Sequence, residues 1–156
     1  MIPRAHIIEW SAKAPWPTEA DIEQDLILSR LMVEIANDDL LGPEFAMRGG
    51  TCLHKLHLAA PMRYSDDLDY VRSTRSGVGP YLDALRRIAS GVGLLEHGSE
   101  RRADMVHMTF ETNSTDGLRK IRVKSRRTCG RPSPASVEHS GGSKSRRDGG
   151  QAPPRS

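Results

Sequence analysis

Two short runs hold the residues able to do chemistry. They are Arg48-Gly49-Gly50-Thr51 and, after a gap, Arg63-Tyr64-Ser65-Asp66-Asp67-Leu68-Asp69-Tyr70. A glycine pair entering a helix presents bare backbone N–H groups to a phosphate. On a strand, Asp67 and Asp69 project to the same side, because side chains alternate with period two. Two adjacent carboxylates suit a Mg²⁺-nucleotide, since Mg²⁺ takes few protein oxygens and keeps phosphates as further ligands. A phosphate cradle followed by a metal clamp is the arrangement that nucleotidyl transfer needs.

Elements to position these runs are legible on both sides. Thr18 is placed to cap a helix that Gly42-Pro43 ends, with Asp21 in a capping-box-like position. Ile22, Leu26, Leu31 and Ile35, widened by Leu28 and Met32, form its expected apolar stripe. Glu19, Asp21, Glu23 and Asp25 fall in its first turns, where the helix dipole favours anions. Phe45–Arg48 reads as a strand, Gly49-Gly50 as a turn, and 51–58 as a helix that Pro61 breaks. Residues 67–71 read as a second strand. Pro80 suits the first position of a helix carrying Tyr81, Leu82, Leu85, Ile88 and Ala89. Val106, Met108 and Phe110 alternate along a half-buried strand at 104–111. Asn113 to Gly117 is a turn, and 118–125 is a strand with Ile121 and Val123 facing in. The expected fold class is α+β: a small mixed sheet flanked by helices.

The run Gly49 to Lys55 (Gly-Gly-Thr-x-Leu-x-Lys), taken with Arg63 to Tyr70 (Arg-x-Ser-x-Asp-Leu-Asp-Tyr), resembles the AbiEii/AbiGii-type nucleotidyltransferase toxins. These include the mycobacterial MenT group and fall in the DNA polymerase β-like nucleotidyltransferase superfamily. The resemblance spans roughly residues 20–125. It implies a polymerase β-like fold in which Gly49, Gly50 and Thr51 hold a nucleoside triphosphate (NTP). Asp67 and Asp69 would be the catalytic carboxylates that bind Mg²⁺, in a two-metal site. Ser65 would contact a phosphate or position the Asp strand. Lys55 and Arg63 would pair with phosphate or lock local carboxylates. The implied reaction moves a nucleoside monophosphate to an acceptor, foremost the 3′ end of a tRNA, and the implied partner is a cognate antitoxin.

Duller readings stand beside these. Gly49-Gly50 also suits a plain tight turn, and Lys55 a surface charge. Asp66 points away from Asp67 and reads as solvated. His54 and His57 read as a surface pair, lacking a third ligand nearby. His107 reads as a strand surface residue. Cys52 reads as a small packing residue, since no partner base can be named.

The resemblance departs in two places. A third carboxylate is expected on the strand at 118–125, which instead carries Arg119, Lys120, Arg122 and Lys124; Glu111 or Asp104 would have to substitute. That positive strand also suits phosphate or RNA. The second departure is length: relatives of this family usually continue into a further, mostly helical portion, whereas here the composition changes after about Arg127. Residues 1–117 hold 12 Lys/Arg against 18 Asp/Glu, whereas 118–156 hold 11 against 2. Residues 128–156 contain five Gly, four Pro and six Ser, and Val137 is their one large apolar side chain. Such a segment cannot offset its ordering entropy by burial. The expected organisation is a nucleotidyltransferase domain at 1–127, truncated relative to the family, and a disordered basic tail at 128–156.

Two cysteines make no disulfide framework. No run approaches the ~18 apolar residues of a membrane span, and the N-terminus lacks a signal-peptide pattern. A cytoplasmic location is expected. Besides the enzyme, three readings stay open. One is an inactive remnant that binds nucleotide or antitoxin, another is a basic-tailed RNA-binding module, and the last is an enzyme that modifies a protein hydroxyl.

Overall fold

A computed structural model describes residues 2–58, 64–72, 74, 76–114 and 116–128. Arg63 and residues 129–156 lie outside the described residues.

Helix α1 (Arg4–Ser11) leads into α2 (Glu19–Asn37), β1 (Phe45–Arg48) and α3 (Gly49–Cys52), which widens into a π-helical turn, Leu53–His57. Strand β2 (Asp67–Arg72), α4 (Gly79–Gly91), β3 (Leu95–Arg102), β4 (Met105–Ser114) and β5 (Gly117–Arg127) follow. The five strands form one mixed sheet in the order β1-β2-β5-β4-β3. Only the β2–β5 pair is parallel; the other three pairs are antiparallel. The fold is thus the expected α+β class.

Period-two alternation builds the core. Leu68 and Tyr70 of β2, Met108 and Phe110 of β4, and Ile121 and Val123 of β5 share one buried cluster with Leu28, Leu31 and Ile35 of α2 and Leu82 and Leu85 of α4. Burying each such Leu or Ile contributes roughly 1.5–3 kcal/mol. The opposite face of β2 and β5 keeps Asp67, Asp69, Arg122 and Lys124 outside this core.

Local signals place the ends of the elements. Thr18 Oγ1 accepts the Asp21 backbone N–H at 3.1 Å and starts α2. Pro80 sits in the first turn of α4. The β4–β5 hairpin closes between Ser114 and Gly117, where φ is +127° and a side chain would be strained.

The structure corrects three expectations. Ile22 and Leu26 are only half-buried, and Ile27 takes a core place instead. Glu23 and Asp25, expected only as helix-start anions, are buried, and so is Gln24 between them. Each has a partner: Ser114 Oγ donates to Glu23 Oε2 at 2.5 Å, Gln24 Nε2 to the Lys120 carbonyl at 2.9 Å, and Trp10 Nε1 to Asp25 Oδ2 at 2.8 Å. These polar groups are tolerated inside because distant segments satisfy them. Lastly, α1 and β3 are elements the periodicity does not reveal. Helix α1 buries only Ile7. Strand β3 buries no residue and is an edge strand formed by pairing with β4. Among the described residues, no helix is long and apolar enough to cross a membrane.

Candidate nucleotide and metal site

Strand β1 runs antiparallel to β2 with Arg48 opposite Asp69. The chain then turns at Gly49, whose φ is +82°, and enters α3. Glycine is needed there twice over. The left-handed backbone disfavours any side chain, and a Cβ would lie 2.8 Å from Asp69 Oδ2. The start of α3 and the Asp69 carboxylate therefore lie in close contact, which the bare glycine permits.

Thr51 stands two residues further and is buried. Its hydroxyl donates to the Asp67 carbonyl at 2.8 Å and lies 2.6 Å from Ser65 Oγ. Each hydroxyl has one proton, so Thr51 spends its own on Asp67 and Ser65 donates to Thr51. This pair ties α3 to the start of β2. Thr51 and Ser65 thus brace the strand through their hydroxyls.

Lys55 is held away from the carboxylates of β2. Its Nζ lies 2.6 Å from both oxygens of Asp25, which is only 2% exposed. Trp10 completes this part-buried trio through its N–H bond to Asp25 and lies beneath the Lys55 ammonium, 5.8 Å from Nζ to ring centroid. The ammonium pins the π-turn to α2. His54, on the same turn, is buried edge-on against Trp16 rather than paired with His57 at the surface. Cys52 is half-buried, with Sγ on the Met47 carbonyl. The Tyr64 hydroxyl has its pKa pushed up to about 12 by burial and by the nearby Asp21 charge.

Asp67 and Asp69 share a face of β2, as their spacing requires, but their surroundings differ. The parallel pairing sets Arg122 opposite Asp67 and Lys124 opposite Asp69. Arg122 Nε donates to Asp67 Oδ1 at 2.6 Å, and Lys124 Nζ to Asp67 Oδ2 at 2.5 Å. Arg122 also reaches Asp66 Oδ2 at 2.8 Å, so Asp66 is ion-paired rather than merely solvated. Partial burial alone would raise the Asp67 pKa; the bonds from Lys124 and Arg122 outweigh it and hold the carboxyl below its ordinary range. The Arg122 guanidinium is shifted up correspondingly by its bond to Asp67. Among the described residues, no cation bonds to the Asp69 carboxylate.

Neither proposed substitute for a third acid reaches β2. Glu111 lies on β4, with β5 intervening, and pairs with Lys120 and His97. Asp104 precedes β4 and pairs with Arg127. Two strand spacings amount to about 10 Å, too far for a shared ion. Among the described residues, no group of three or more His, Cys, Asp or Glu could hold a metal. The donors present fit a single divalent cation that brings phosphate oxygens with it: two carboxylates on one face of β2, beside the start of α3. A second ion finds no third carboxylate among the described residues.

A short strand, a Gly-Gly turn into a helix, and two carboxylates on the next strand of a mixed sheet define a nucleotidyltransferase-type fold. Solved structures share it. JHP933 from Helicobacter pylori is 14% identical, with a TM-score of 0.51 over 70% of this chain and 45% of that one. A candidate nucleotidyltransferase from H. pylori is 14% identical, with a TM-score of 0.50 over 70% of this chain and 46% of that one. The chain thus spans less than half the length of these two proteins. Among curated proteins, none matches it. Residues 30–138 match the nucleotidyl transferase AbiEii toxins of type IV toxin–antitoxin systems. The chain belongs to that family.

Proposed function

We propose that this protein transfers a nucleoside monophosphate from an NTP to an RNA acceptor, foremost a tRNA 3′ end, and that a cognate antitoxin restrains it in the cytoplasm. The observation that carries this reading is the apposition of Gly49 and Asp69, with Asp67 on the same face of β2. Backbone N–H groups of Gly49 and Gly50 receive the phosphates. Thr51 and Ser65 keep α3 and β2 in register, and Lys55 fixes the π-turn through Asp25. Asp67 and Asp69 hold the Mg²⁺ that accompanies the nucleotide. When bound, that ion supplies charge neutralisation for the departing pyrophosphate and alignment of the α-phosphate. Arg122 and Lys124 border the same carboxylates and are placed to receive phosphate oxygens. Arg63, outside the described residues, keeps its proposed role as a phosphate ligand.

The test is transfer of label from each α-³²P-labelled NTP to total tRNA with Mg²⁺. Wild type is expected to label RNA. Asp67→Ala and Asp69→Ala are expected to lose about a thousandfold in rate, because such an ion is worth several kcal/mol of transition-state stabilisation. Equal labelling by either variant would defeat the assignment. The two cations on Asp67 favour a second reading, a protein that binds nucleotide or antitoxin without turnover. It predicts a folded wild type that binds NTP and labels nothing.

A further inference from the structure

Two ligand-type carboxylates stand two residues apart, yet only one of them is free of cations among the described residues. The strand beside them offers Lys124 where the family pattern expects an acid. We propose that Lys124, aided by Arg122, is a built-in counter-ion of Asp67 that must move onto the triphosphate before a divalent cation can use that carboxylate.

This inference rests on the nucleotide-binding reading above and adds an order to it. Both Asp67 oxygens accept from cations, at 2.6 Å from Arg122 Nε and 2.5 Å from Lys124 Nζ. A metal arriving alone meets one carboxylate free of cations among the described residues, at Asp69, and two positive groups beside the other. That repulsion, added to the lost Asp67 donors, makes the empty site a poor one for a divalent ion. A triphosphate arriving at Gly49 changes the balance. Lys124 stands opposite Asp69 on the neighbouring strand, and Asp69 faces Gly49 at the mouth of α3. The Lys124 ammonium sits on a flexible four-carbon stem, half-exposed, so it can turn from Asp67 to a phosphate oxygen with no change in the backbone. Arg122 keeps Asp66 as an alternative partner. Asp67 is then released where the metal is needed. Lys124 is a positioning residue in this scheme. Metal and nucleotide bind together, and the metal binds poorly by itself.

Lys124→Met separates the two halves of the proposal, because it should move two affinities in opposite directions. Lys120→Met is the control: it removes the same charge from the same strand, but from a lysine that pairs with Glu111 instead. Binding of Mn²⁺ alone, followed by its electron paramagnetic resonance signal, is expected to tighten about tenfold in Lys124→Met and to stay unchanged in Lys120→Met. Binding of inorganic triphosphate in metal-free buffer, followed by calorimetry, is expected to weaken severalfold in Lys124→Met only. Circular dichroism establishes that each variant is folded; Lys124→Gln, which also removes the cation without adding a carboxylate, replaces Lys124→Met should the latter not fold. Unchanged Mn²⁺ affinity in the Lys124 variant overturns the proposal, as does equal tightening in both variants, which would mark a general charge effect. If wild type does not bind triphosphate at all, the nucleotide reading itself fails, and the Mn²⁺ comparison still decides whether Lys124 masks Asp67.

Discussion

The two faces of β2 and β5 use the same backbone for opposite ends. Inward, Leu68, Tyr70, Ile121 and Val123 are almost wholly buried and hold the sheet to α2 and α4. Outward, one residue along in each case, Asp67, Asp69, Arg122 and Lys124 form a half-exposed set of charges. The pleat alone separates stability from chemistry here. The inner face is insensitive to which apolar residue fills it, provided volume is kept. The outer face depends on which charge stands opposite which, and one substitution there inverts its character.

That contrast can be broken from either side. The largest separation is expected at adjacent residues. Asp69→Ala should remove transfer, about 4 kcal/mol in barrier terms, while its urea unfolding midpoint stays near that of wild type. Leu68→Ala should cost about 3 kcal/mol of unfolding free energy by leaving a cavity, with transfer retained by the molecules that remain folded. A variant of Asp69 that unfolds, or of Leu68 that does not lose stability, would erase the distinction between the faces.

Lys55→Met is expected to cost less, about 2 kcal/mol, because it leaves the buried Asp25 carboxylate with only the Trp10 N–H. Urea melts measure this loss. A fall in NTP affinity larger than the fall in stability would show that Lys55 serves phosphate as well as Asp25.

The smallest effect is expected from the Asp67 ion pairs, which are partly solvated. The Asp67 pKa is lowered in the folded protein. Its contribution is therefore present above the unfolded carboxyl pKa and is lost as pH falls through the folded value. Thermal melts of wild type and Asp67→Asn should differ slightly near neutrality and converge in acid, once the pH falls below the lowered folded-state value of Asp67. A difference that grows in acid would contradict the assigned direction.

Legibility followed the range of the interactions. The strand at Phe45–Arg48, the Thr18 cap, Pro80 at the start of α4 and the alternation of β4 depend on neighbours a few residues away, and each was readable. The motif placed Asp67 and Asp69 on one face for the same reason. Helix α1 and β3 were not readable, since one buries a single residue and the other none. From the sequence Asp25 reads as a helix-start anion, because its partners, Trp10 and Lys55, lie 15 and 30 residues away. A buried acid near a helix start leaves no periodic trace that would mark it.

By itself the sequence determined the chemistry on offer: a glycine turn, two carboxylates in phase, and a basic strand lacking the third acid. The tertiary structure decided where that basic strand goes. It lies in parallel beside β2, so that Arg122 and Lys124, 55 and 57 residues away from Asp67, close on its carboxylate. Charge and alternation along a strand are local properties written residue by residue. Strand order and register are not, because they depend on how all the apolar faces pack at once.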